Sequence, residues 1–131
     1  MSMSMQGAWD NYTNSCICGK SYPENCAHYI SNALILAGYR EIDGGVGEDQ
    51  RIVNGFCVCP SGRPIRAKEL HEYFGRKFTS HSSPRDGINL VYQESREGKG
   101  HVLLKICKNL KSMGFKGTTD HPDWPTQEYY Y

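Results

Sequence analysis

The chain has no apolar run near the roughly 20 residues that cross a bilayer as a helix, so no membrane partner is expected from it. It also lacks an excess of either charge. The 15 Lys and Arg stand against 14 Asp and Glu, a net of +1, which removes the electrostatic argument for nucleic acid as a partner. The opening "MSMSMQGAWDNYTNS" lacks the basic-then-apolar order of a secretory signal, so the expectation is a soluble protein that reaches any external site without a standard signal peptide. Internal repeats and low-complexity tracts are missing too, and 131 residues suffice for one core but not two, so residues 1–131 are read as a single domain.

Cysteine is not scarce: there are six, and four form two C-x-C pairs, Cys16 with Cys18 and Cys57 with Cys59. The pairs can bridge to each other as disulfides in an oxidising compartment, bind zinc as four thiolates, or stay as buried thiols. Zinc ribbons usually space their ligands more widely than one intervening residue. On any of these readings the four are structural.

Two helices are expected. In "YPENCAHYISNALILAGY", residues 22 to 39, Cys26, Ile30, Ala33, Leu34 and Ala37 share one face of a 3.6-residue period, with Asn25 as N-cap and Gly38 as stop. "IRAKELHEYFG", residues 65 to 75, turns Leu70, Tyr73 and Phe74 inward and ends at Gly75. Residues 40 to 64 between them, with five glycines, read as a long irregular connection. The period then changes to two. "INLVYQE" and "HVLLKIC" form a hairpin across "SREGKG", "MGFKGTT" adds a strand, and "TQEYYY" a last edge strand. Helices followed by an antiparallel meander make the fold class α+β.

Cys26 opens the first of these helices. There the positive end of the helix dipole and unpaired N–H groups favour thiolate and can stabilise an oxyanion, although cysteine also opens buried helix faces for packing alone. A nucleophilic thiol needs a base. His28 sits about 200° around the helix from Cys26, and His71 and His81 lie on a charged helix face and in a Ser-rich loop. His101 leads an apolar strand and is the better base; Asp120 and His121 follow it as groups that can fix its tautomer.

Asn-Cys at a helix start, "GHV" opening a strand and a later polar residue together resemble the NlpC-type cysteine peptidases, a papain-like superfamily that cuts peptidoglycan stem peptides. More narrowly, "NCAHYISNALILAGY", "GHVLLK" and "GTTDHPDWPTQEYYY" resemble the amidase effectors of type VI secretion, of the second or third family, or their domesticated descendants in animals. The resemblance runs from about Gly7 to Tyr131. It implies a papain-like, NlpC-type fold with Cys26 as nucleophile, His101 as base and Asp120, with His121 as alternative, as third catalytic residue. It further implies a hydrolase that cleaves the D-alanine to meso-diaminopimelate cross-link in the periplasm or wall of target bacteria. No cofactor or catalytic metal is expected; the implied partners are the stem peptides and a cognate immunity protein, and the chain is expected to act as a monomer.

Two other readings stay open. One is a papain-like enzyme acting on an amide outside peptidoglycan. The other is a small binding module, held by zinc or disulfides, that uses "PDWP" and "YYY" as contact surface; metal content is expected to tell it from the peptidase.

Overall fold

The computed structural model describes residues 5–131, so the serines and methionines before Met5 lie outside it. Elements follow in the order α1 (Gln6–Asn11), α2 (Cys26–Leu36), a 3-10 turn (Arg40–Ile42), β1 (Arg51–Val53), β2 (Phe56–Val58), α3 (Ala67–Lys77), β3 (Ser80–His81), β4 (Gly87–Glu94), β5 (Gly100–Lys108), β6 (Lys111–Lys116) and β7 (Thr126–Tyr130). Among the described residues, three α-helices and two antiparallel sheets make an α+β protein. Among the described residues no helix is long and apolar enough to cross a membrane.

α2 forms where its apolar period says it should. Ile30, Ala33 and Leu34 are almost fully buried against the rest of the core. Gly38 stops it in the left-handed region, φ 108°, which costs a glycine little. Asn25 is the N-cap residue, but its side chain makes no cap bond. It closes the preceding turn instead, accepting from the Tyr22 N–H at 2.9 Å and donating to Ser21 Oγ at 3.0 Å. α3 keeps Leu70, Tyr73 and Phe74 inward but runs two residues past Gly75 before it ends.

The connection of residues 40 to 64 is not irregular throughout. β1 and β2 pair across Asn54 and Gly55, both at positive φ, which is the Asn-Gly turn that antiparallel strand twist favours. The larger sheet has the order β3-β7-β4-β5-β6. β7 is therefore not an edge strand; it pairs with β4 on one side and with the short β3 on the other. α2 and α3 pack on this sheet around β5, with Leu90, Tyr92, Val102, Leu104 and Tyr130 beneath them. The opposite face is crossed by the chain between β6 and β7. At Gly117 that segment runs so near the sheet that a Cβ would meet Leu103 Cβ at 2.9 Å.

Candidate active site

Cys26 is the first residue of α2, and His101 is the second of β5. The helix packs on that strand, and the two side chains line one open cleft of about 420 Å³ whose other walls include Glu24, Lys99, Thr119, His121 and Trp124. Gly100 lets the strand start so close to its neighbour. A Cβ there would meet Tyr92 Oη at 2.9 Å.

The thiolate form that a helix start favours does not prevail at Cys26. Burial pushes its pKa up from 9.0, and the Glu24 charge adds to this, against the backbone N–H groups of Val102, Ala27 and Cys26 that favour the thiolate. His101 moves the other way. Burial pulls its pKa below 6.5 and His121 adds to that, while the hydrogen bond to Thr119 and the charges of Asp120 and Glu24 oppose it. At neutral pH Cys26 is thus a neutral thiol and His101 a neutral imidazole lining one cleft, which suits general-base activation rather than a preformed thiolate-imidazolium pair.

His101 Nε2 lies 2.7 Å from the Thr119 carbonyl oxygen. A carbonyl only accepts, so Nε2 carries the proton and Nδ1 has the free lone pair. Asp120 does not make this bond. Its Oδ1 accepts from Gln93 Nε2 at 2.8 Å and pairs with Lys105 Nζ at 3.0 Å, a lysine whose side chain is 5% exposed. The carboxylate is needed there because a buried ammonium without a partner is costly. His121 stacks on Trp124, with ring centroids 3.9 Å apart, and stands edge-on to His101 at 4.9 Å.

Gln93 organises this wall. It faces His101 in the register of β4 and β5, is fully buried, donates to Asp120 and to Gln127 Oε1, and accepts the His121 N–H at 3.0 Å. Only its odd place as a polar residue in the apolar run "INLVYQE" marks it in the sequence. The other histidines are used elsewhere: His71 stacks on Tyr92 and contacts Glu128, His81 stacks on Tyr131, and His28 turns toward Cys18.

Comparison with family models, with curated proteins and with solved structures finds no match to this chain.

Proposed function

We propose that the chain is a cysteine amidase that hydrolyses peptidoglycan stem peptides at the D-alanine to meso-diaminopimelate cross-link, on a papain-like, NlpC-type fold. The observation that carries this reading is the shared cleft, with a thiol at a helix start on one side and, on the other, an imidazole whose Nε2 proton is tied to the Thr119 carbonyl. In the reaction Cys26 Sγ bonds to the scissile carbonyl carbon as its proton passes to His101 Nδ1. Backbone N–H groups at the start of α2 stabilise the oxyanion that forms. Collapse breaks the C–N bond, and the amine leaves with the proton from His101. Water, deprotonated by the same nitrogen, then cleaves the thioester, giving a carboxylate and restoring the thiol.

The cleft chemistry suits this substrate. Lys99 offers a cation to the carboxylates that flank the cross-link, Glu24 offers an anion to a free amine, and Trp124 gives an apolar wall to an alanine methyl. The biological role in this reading is an antibacterial toxin working as a monomer in the periplasm or wall of target bacteria, restrained by a cognate immunity protein.

Mass spectrometry of muropeptides released from purified sacculi tests the proposal. Cross-linked dimers are expected to give monomers heavier in sum by one water, and Cys26→Ala is expected to leave them intact. Loss of glycan-linked products, or digestion that proceeds without Cys26, would sink it.

A further inference from the structure

A second cluster of nucleophilic groups lies away from the cleft. Cys16, Cys18 and Cys59 offer three Sγ atoms and His28 a ring nitrogen, all within 4.8 Å of one another. His28 is two residues along α2 from Cys26, hence about 200° around the helix.

The separations suit a metal. Cys16 Sγ is 3.9 Å from Cys59 Sγ, and Cys18 Sγ is 3.4 Å from His28 Nε2. Tetrahedral zinc, with bonds of about 2.3 Å to sulfur and 2.05 Å to nitrogen, holds two sulfurs about 3.8 Å apart and a sulfur and nitrogen about 3.6 Å apart. The two turns that carry the thiols are built alike. Gly19 and Gly62, at φ 73° and 84°, each donate an N–H to the carbonyl of the cysteine three residues back, Cys16 and Cys59, and the next N–H in each turn, from Lys20 and from Arg63, points at a sulfur, that of Cys18 and of Cys59, from 3.4 Å. Donors aimed at a sulfur favour its thiolate form, and such outer contacts accompany metal ligands.

Two buried groups also point to a bound cation held by thiolates. The His28 ring is fully buried; among the described residues its Nδ1 has no hydrogen-bond partner, and its Nε2 lies against thiol sulfur, 3.4 Å from Cys18 Sγ. A ring buried with so weak a partner is costly unless that nitrogen binds something stronger. The Arg63 side chain is 7% exposed and is held by Asn32 Oδ1 and the Ser61 carbonyl, with no carboxylate partner among the described residues. Three thiolates on a divalent ion leave one negative charge, which complements that guanidinium.

We propose that Cys16, Cys18, His28 and Cys59 form a closed structural zinc site that ties the segment before α2 and the turn after β2 to the first turn of α2. The thiols release their protons to solvent as the ion binds, and no oxidant is required. Cys57 takes no part; its Sγ faces the Gln50 carbonyl oxygen at 3.5 Å. The site holds the helix whose start carries Cys26, without touching the cleft.

The test is metal content by mass spectrometry of the full chain, purified under reducing conditions without chelators, followed by chelator stripping and titration with zinc or cobalt. About one zinc per chain is expected, and the cobalt form should show the visible bands of a tetrahedral thiolate site. Cys57→Ser should keep the metal, whereas Cys16→Ser and Cys59→Ser should bind it at least about tenfold more weakly. Because these variants can misfold, the wild-type titration stands by itself: a reduced, folded chain that takes up neither ion overturns the proposal. So does a Cys16–Cys59 disulfide in a chain that binds no zinc once reduced, or a metal lost from Cys57→Ser and kept in Cys16→Ser.

Discussion

The Nε2–H of His101 donates to the Thr119 carbonyl, so the imidazole presents Nδ1 as its basic atom. The group that fixes the tautomer is main chain, and substitutions at Asp120 should reflect this. Asp120→Asn keeps an oxygen for Gln93 but removes the charge that compensates Lys105. We expect it to lower stability by about 3–5 kcal/mol, as breaking a buried pair does, and to retain most of the activity per folded molecule. Chemical denaturation and kcat on a cross-linked muropeptide read the two effects apart. A loss of kcat as deep as that of His101→Ala, in folded protein, would make Asp120 the orienting group after all.

Cys26→Ala should remain folded, because it removes one sulfur from a helix end whose neighbours Ile30 and Leu34 are untouched. Hydrolysis should fall by several powers of ten, on the order of 10⁴ or more, the scale for loss of a covalent nucleophile. Circular dichroism and digestion of sacculi check the two halves, and near-native digestion by the variant would refute the assignment. The same comparison separates enzyme from binding module. Metal content does not, since the thiol cluster and the Cys26 cleft are different places on the molecule.

The pH profile of kcat/KM should be broad. Burial holds His101 below 6.5, so the base is free down to that lowered pKa and activity falls only as pH drops through it. Burial holds Cys26 above 9.0, so thiol ionisation does not enter near neutrality. Glu24 raises both pKa values, so Glu24→Gln should move the acid limb lower and the alkaline limb toward neutrality. Opposite movement of either limb would show that Glu24 does not act through its charge.

Gly100→Ala introduces a methyl that meets Tyr92 Oη at 2.9 Å and pushes on the residue beside His101. A shift of about 1 Å in the base is expected to lower kcat by up to about 100-fold while the reactive groups all remain. Gly75→Ala, at an exposed helical glycine with open space around it, is the control and should be neutral or slightly stabilising. Equal activity of the two variants would mean that the start of β5 tolerates displacement.

Much of this architecture was legible because it is periodic. The apolar face of α2 and the alternation in β4 and β5 are written in side chains, and both elements stand where the pattern puts them. Asn54-Gly55 was equally legible as a hairpin turn, but three-residue strands on either side are too short for alternation to register. α1, with six residues and no side-chain cap, leaves hardly any trace. The position of β7 is set by pairing with residues far away in the chain, which local pattern does not encode. The Thr119 carbonyl has no letter of its own, since every residue carries one. Cys57 and Cys59 look equivalent on paper; the strand ends between them, at Val58, and turns their sulfurs to different neighbours.

The interior placement of β7, between β3 and β4, bears on the order in which the molecule becomes competent. Gln127, on that strand, donates to the carbonyls of His121 and Trp124 and so fastens the cleft wall that stands beside His101. A ribosome delivers Cys26 and His101 well before it delivers residue 127. A growing chain therefore carries both reactive groups for roughly 1–5 s of synthesis without the wall that frames them, and the cleft closes into shape only when β7 slots between β3 and β4.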